Sequence, residues 1–385
     1  MMPFTIYLLG YTLFTMTTSE FMVAGLMPSM SQDLKQPISQ IGYLITIYSL
    51  GMVVGGPLLA SLLIRLTDKR ALLFITLIFL IAQAAAALSP SYSLIAIARF
   101  MTGLSSAAFF GFALMAASKL VAPERLGVAA SIVLGGLMIA TVVGLPVATV
   151  LDQFYGWRVS FWLIVVLVAA AAIGLHRFMP EHDPVANNSL RKELASLWNR
   201  RLWAAYATSF FIIASAFSAF SYLVPYLLHQ MRLHESNVPI ILFVYGACSV
   251  VGNIVVGRLA DRSSIGVVFC GGILQCCALS VIYLSEGAPS TALAAIAVLG
   301  LTGITLTPAM SARIFRITKN TSLINTMHTS VISAGVTIGS WTGGLAIAGG
   351  YGFASPFLLG IFFVLMAILT LAPYMKRTAS HSRNG

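Results

Sequence analysis

Acidic side chains are scarce: Asp and Glu together number 11 in 385 residues, and all charged residues make up 9% of the chain. A soluble domain carries roughly 25% charged residues, so water is excluded as the main solvent. Cysteine is rare too. Cys248, Cys270, Cys276 and Cys277 lie in apolar runs without metal-ligand spacing, and read as small buried apolar groups rather than a redox or zinc site. No His-Glu-x-x-His, Gly-x-Ser-x-Gly or phosphate-loop pattern occurs, so nothing points to an enzyme and no cofactor or metal is expected. A basic leader and small-residue cleavage site are missing before the polar segment near Ser31, and no removable signal peptide is expected.

What fills the chain instead is hydrocarbon: 58% of residues are hydrophobic. Roughly 20 consecutive apolar residues span a bilayer as a helix. Runs of that kind occur at 5–30, 41–66, 71–88, 92–118, 127–151, 159–179, 203–228, 239–260, 267–284, 291–312, 322–348 and 353–374. The expectation is an all-α membrane protein with twelve transmembrane helices, antiparallel neighbours following from the short polar links.

The net charge of +11 is unevenly placed. Alternate links and the tail hold 18 of the 22 Lys and Arg, while the opposite side holds only Lys35, Arg158 and Arg232. By the positive-inside rule both termini face the cytoplasm, and the excess charge sits beside anionic lipid. No basic domain stands outside the membrane, so nucleic acid is not an expected partner.

The longest link divides the chain into an N-terminal bundle (1–179), a linker (180–202) and a C-terminal bundle with a short tail (203–385). Within the linker Leu190, Leu194, Leu197 and Trp198 share one helical face, which predicts a short helix lying in the interface. A faint repeat supports the division. Tyr48 with Val53-Val54-Gly55 recurs as Tyr245 with Val250-Val251-Gly252, an offset of 197 that also sets Arg65 opposite Arg262. Duplicated bundles of this kind suit alternating access around a midplane site, although periodicity alone is equally compatible with a channel.

Glu20 is the one acid well inside a span, and Arg99 the one basic residue deep in a span. An ionised carboxylate there costs roughly 2.5 to 3.5 kcal/mol on insertion scales. At about 1.5 Å of rise per residue, the two lie roughly 14 Å and 9 Å inward from the outer ends of their helices, close enough in depth to meet or share a water. Loss of water favours the neutral acid and a nearby cation favours the ionised one. A proton-coupling pair has that property; a static polar clamp between helices is the other reading. His328 in span 11 reads either as hydrogen-bonded filler or as a secondary proton or substrate group. Gly135-Gly136 and Gly144-Leu145-Pro146 in span 5, and Gly335, Gly339 and Gly343 in span 11, mark tight helix contacts or a moving seal. Pro146 also frees the carbonyl of Val142, loosening the helix locally.

Gly257-Arg258-Leu259-Ala260-Asp261-Arg262, at the inner end of span 8, resembles the loop signature of the major facilitator superfamily, Gly-x-Leu-Ala-Asp-Arg. Arg99 with Gly103 is similar to that family's fourth-helix motif. Gly144 and Pro146, with Gly156-Trp157-Arg158, resemble the antiporter motif of its fifth. Glu20-Phe21 and Gly25-Leu26-Met27-Pro28 resemble the first helix of bacterial drug, sugar and purine-nucleoside exporters of the drug/proton antiporter branch. The resemblance implies the twelve-helix major facilitator fold of two pseudo-symmetric six-helix bundles, a cavity lined by spans 1, 4, 7 and 10, and export coupled to proton entry across a bacterial inner membrane. It further implies that Arg99 assists a proton switch, that Gly257, Arg258, Asp261, Arg262 and Arg65 belong to inner gates, and that Gly136, Gly144 and Pro146 belong to a seal between halves. One departure stands out: after span 2, Ile64 occupies the place of the acid, and Asp68 is displaced.

The expected partners are protons and a small-molecule substrate, handled by a monomer. Phe14, Thr17, Phe110, Met115, Phe210 and Tyr222 are candidate cavity residues; adaptable apolar walls suit drug-like or amphipathic solutes. Thr17, Thr18, Thr305 and Thr307 equally suit a sugar or nucleoside.

Overall fold

The computed structural model describes residues 2–63, 65–122, 125–181, 199–285, 289–318 and 322–381. The interfacial helix expected at 189–198, and Ile64, lie outside them. Backbone polar groups in hydrocarbon must be satisfied within the chain, and helices do this segment by segment.

The first six crossings are α1 (Phe4–Leu34), α2 (Ile38–Leu63), α3 (Asp68–Leu88), α4 (Tyr92–Lys119), α5 (Leu126–Tyr155) and α6 (Trp157–Phe178). Next come α7 (Arg200–Gln230) and the long assignment Val238–Leu284, which breaks at Ser263 (φ −151°, ψ 86°) into α8 (238–262) and α9 (264–284). The series ends with α10 (Pro289–Ile317), α11 (Ser322–Ala348) and α12 (Ser355–His381). Ten helices among the described residues are long and apolar enough to cross a membrane, one of them holding both α8 and α9. α1 is not among the ten because Thr12, Thr15, Thr17, Thr18, Ser19 and Glu20 dilute its hydropathy. Large apolar side chains such as Ile81, Ile97, Val166 and Leu369, each more than 60% exposed, require lipid around the helices.

Local chemistry sets the ends. Thr67 and Ser91 cap α3 and α4 by accepting from the N–H groups of Arg70 and Leu94. α1 stops at Lys35 in the left-handed region (φ 52°). Gly156 (φ 81°) makes the corner from α5 to α6, and Gly352 (φ 80°) lies in the corner between α11 and α12.

By contact the chain falls into two units, Met1–Asn187 with His234–Phe243, and Asn188–Leu233 with Val244–Gly385. In the first, α1 is the buried centre, packed on α2, α4, α5 and α6, with α3 against α4 and α6. In the second, α7 holds the equivalent position against α10, α11 and α12. The 197-residue offset is visible in the packing. A side chain at Gly103 would strike the carbonyl of Tyr48, and one at Gly55 the carbonyl of Leu104. In the second unit Gly300 meets the carbonyl of Tyr245 and Gly252 that of Leu301. Both crossings therefore depend on backbone approaching backbone, as small residues permit in lipid.

Candidate functional site

Ser19 and Glu20 sit midway along α1, where α3 and α4 reach that helix. The guanidinium of Arg99 on α4 is wholly buried and wraps this point: Nη1 donates to the Ser19 carbonyl (2.8 Å) and hydroxyl (3.1 Å), and Nη2 to the Glu20 carbonyl (3.2 Å). The Ser19 hydroxyl donates to Oε1 of buried Gln83 on α3 (2.9 Å). Tyr48 of α2 lies flat beneath the cation, its ring centroid 4.2 Å from Cζ of Arg99, and donates its hydroxyl to the Met16 carbonyl (3.3 Å). Four helices thus converge on one charge, and an aromatic face and carbonyl dipoles replace its water.

The Glu20 carboxylate is half-buried and makes no ion pair within 4.0 Å with Arg99. The two residues meet through the Glu20 backbone, which leaves the carboxylate unclamped, and they still interact as charges. Buried Nε of Arg99 and Nε2 of Gln83 have no hydrogen-bond partner, so the cluster retains donor capacity beside the acid. Ser19, Tyr48 and Gln83 escaped the sequence reading as functional groups. Gln83 carried a signal, being the one amide in the otherwise apolar run of α3.

Gly136, Gly144 and Pro146 lie on α5 where it presses against α1. A side chain at Gly136 would strike the Gly10 carbonyl, and one at Gly144 the Thr18 hydroxyl, so within this unit the motif brings α5 onto the helix that carries Glu20. Ahead of Pro146 the helix widens into a π-turn at Ala140–Gly144, with the Leu145 N–H bonding to the Ala140 carbonyl. At the far end of α5, Trp157 donates to Asp33 of α1 (3.0 Å), and Arg158 pairs with the same carboxylate, caps the Ser89 carbonyl (3.2 Å) and stacks on Trp157 (4.3 Å).

On the basic face, Arg316 at the end of α10 donates to the carbonyls of Ala260 (3.1 Å) and Asp261 (2.7 Å) in the loop signature. Gly257 has open space at its Cβ position, and Arg258, Asp261 and Arg262 are absent from the ion pairs found among the described residues. In the first unit Lys119, at the end of α4, donates to both oxygens of buried Asp68 (2.9 and 2.7 Å). Arg65 stands exposed beyond the end of α2.

His328 is buried on α11, hydrogen-bonded through Nε2 to Ser209 of α7 (3.0 Å) and stacked on Tyr206 (5.9 Å). Gly335, Gly339 and Gly343 meet the carbonyls of Phe210, Ala214 and Ser218, joining α11 to α7. Tyr222 is buried in that seam, its hydroxyl on the Ser340 carbonyl (2.9 Å). Phe14, Phe110 and Phe210 are half-buried, Thr17 is buried and Met115 is exposed. Thr18, Thr305 and Thr307 donate to carbonyls of their own helices. α10 is interrupted at Gly303 (φ 73°), whose Cβ position is filled by Ala216 of α7. No group of three His, Cys, Asp or Glu suited to a metal occurs among the described residues.

Two repeated helical units, one with an acid midway along a membrane helix beside a buried arginine, are the frame of a multi-pass membrane transporter. The sequence profile described as "Major Facilitator Superfamily" matches residues 9–328 and again 216–385, and the chain belongs to that family. It is 30% identical over 381 residues to the chloramphenicol resistance protein of Streptomyces lividans, covering 97% of this chain and 96% of that one. Similarity extends to the inner membrane transport protein YdhP of Escherichia coli (strain K12), at 27% identity over 92% of each chain. A protein named "Probable sugar efflux transporter" from Mannheimia succiniciproducens matches at 24% identity over 94% of each. A solved peptide transporter POT in complex with alafosfalin shares the fold, with a TM-score of 0.77 at 12% identity, over 97% of this chain and 95% of that one. The chain is a transporter of small molecules, not an enzyme.

Proposed function

We propose that the chain exports drug-like or amphipathic small molecules across a bacterial inner membrane in exchange for protons, as a monomer with both termini cytoplasmic. The observation that carries this reading is the unclamped Glu20 carboxylate beside an Arg99 whose own bonds go to backbone, Ser19 and the Tyr48 face. A fixed salt bridge would lock the acid in one ionisation state; here Arg99 supplies a field while Glu20 remains free to exchange its proton. Glu20 is the proton carrier and Arg99 its electrostatic partner. Resemblance to a chloramphenicol resistance protein supports an apolar, drug-like substrate, and Phe14 and Phe110 in the first unit are half-buried aromatic groups of matching chemistry. One charge crossing 100 mV supplies about 2.3 kcal/mol, roughly a fiftyfold gradient from the potential alone.

The test is transport by purified protein in proteoliposomes under an imposed pH gradient, with chloramphenicol and a labelled sugar as separate probes. Glu20→Gln abolishes pH-driven accumulation while leaving counterflow exchange of substrate in place. If Glu20→Gln responds to the pH gradient as the parent does, the assignment is wrong; if only the sugar is carried, the substrate class is.

A further inference from the structure

A second buried arginine has no counterpart to Glu20. Arg313 lies on α10, four residues before the helix ends at Ile317 and 4% exposed. Its Nη1 donates to the Thr208 hydroxyl of α7 (2.8 Å), which in turn contacts the Thr370 hydroxyl of α12 (2.8 Å). The ring of Tyr374, also on α12, lies 5.3 Å from Cζ. Nη2 is buried and makes no hydrogen bond.

A buried guanidinium is ordinarily paired with an anion, because leaving it unpaired costs several kcal/mol. Asp261 is the one acid among the described residues of this unit, and it forms no ion pair with Arg313. Arg99 differs on each count: both of its Nη atoms are occupied, and Glu20 is close enough to be felt.

We propose that Arg313, with Thr208 and Thr370, is an anion-binding site at the basic end of α7, α10 and α12. The Thr208 and Thr370 hydroxyls donate to the Ala204 and Ala367 carbonyls of their own helices (2.8 and 2.7 Å) and hold the guanidinium through Nη1, so the planar fork turns its free Nη2 donor to the oxygens of a phosphate or phosphodiester. Helix ten ends only about 6 Å further on, so the oxygens arrive at the membrane interface, as a lipid headgroup or as a soluble phosphate. The site is independent of proton coupling and stands whether or not Glu20 carries the proton.

The experiment is a thermal-shift titration of the full chain in phosphatidylcholine nanodiscs, with phosphatidylglycerol doped into the bilayer in one arm and inorganic phosphate in the buffer in the other. Parent, Arg313→Met and Thr208→Val are compared. The expected result is a rise of a few degrees for the parent in one arm, absent in Arg313→Met and reduced in Thr208→Val. The phosphatidylglycerol arm assigns a headgroup, and the phosphate arm a soluble anion. Should Arg313→Met not fold, native mass spectrometry of the parent and Thr208→Val, counting retained phosphatidylglycerol or phosphate, reads the same difference. Equal shifts or equal retention in parent and variant, or none in either arm, would overturn the proposal.

Discussion

The two halves share a frame and differ in what they put on it. Tyr48 and Tyr245, 197 residues apart, both offer a carbonyl to a glycine of the crossing helix, Gly103 and Gly300 respectively. The ring of Tyr48 carries the Arg99 guanidinium, whereas the ring of Tyr245 stacks on Phe220 at 5.1 Å, and Ile296 stands at the position corresponding to Arg99. The same exchange recurs at the helical corners: Trp157 bonds the Asp33 carboxylate, while Phe353 stacks on His229 at 4.9 Å. A buried Ser–Gln pair survives in both, Ser19 with Gln83 and Ser215 with Gln275, each at 2.9 Å. Backbone packing is thus conserved within the molecule, and charged chemistry is concentrated in the first half. One half sets an acid beside its buried arginine; among the described residues the other presents aromatic and hydroxyl groups, and a buried arginine without an acid.

The sharpest way to break this comparison uses the basic residues that end α4 and α10. Lys119 and Arg316 are also 197 residues apart, but Lys119 neutralises a carboxylate that is 2% exposed, while Arg316 meets carbonyls at a partly open edge. Lys119→Met strands the Asp68 charge and costs about 3 to 5 kcal/mol, read as a large loss of thermal stability in detergent. Arg316→Met leaves carbonyls that water can solvate and costs below about 1 kcal/mol. Equal losses would mean that the loops are held by something other than these charges.

Much of the frame was legible beforehand. The twelve runs and the offset of 197 follow from composition and spacing, because helix length and apolar content are fixed by the bilayer; the fourth- and fifth-helix motifs came from the family resemblance. Contacts across helices were not legible in the same way. Asp33 and Arg313 read as link residues, since a charge near the end of an apolar run marks the interface by default. The structure extends α1 to Leu34 and α10 to Ile317, turning both into residues of helix ends, with Arg313 buried. Arg313 is accordingly a second buried arginine, near a helix end, whereas Arg99 is deep in its span. The partners of Arg99, namely Ser19, Tyr48 and Gln83, come from three helices, and rotations about helix axes that bring them together leave no trace in linear spacing. The interruption at Gly303 was equally silent, because a glycine inside a membrane helix more often marks close packing than a break.

A smaller difference separates the two tyrosines. Tyr48→Phe keeps the face beneath Arg99 but removes the bond to the Met16 carbonyl, at about 1 kcal/mol. Tyr245→Phe retains the stack on Phe220 and is expected to be neutral. Paired melting curves check this, and a neutral Tyr48→Phe would show that the ring alone supports the cation.

The smallest effect lies at the corner of α5 and α6 and is best seen through pH. Arg158, bonded to Asp33, holds that carboxyl below its usual range, against a weaker opposing effect of burial. Because the folded-state value is depressed, the stabilisation is fully present above the unfolded pKa of about 3.9 and is lost as pH falls through the folded one. Both side chains are more than a third exposed, so solvent screening limits the contribution to below about 1 kcal/mol. Asp33→Asn should therefore melt slightly below the parent at pH 7, and the gap should close at pH values under about 4. Phe353→Leu removes a ring stack on His229 with no carboxylate in it, so its deficit does not close at pH values under about 4. If the Asp33→Asn gap were also flat, the α5–α6 corner would owe its stability to the Trp157 ring, as the α11–α12 corner does to Phe353, and the difference between the halves would vanish there.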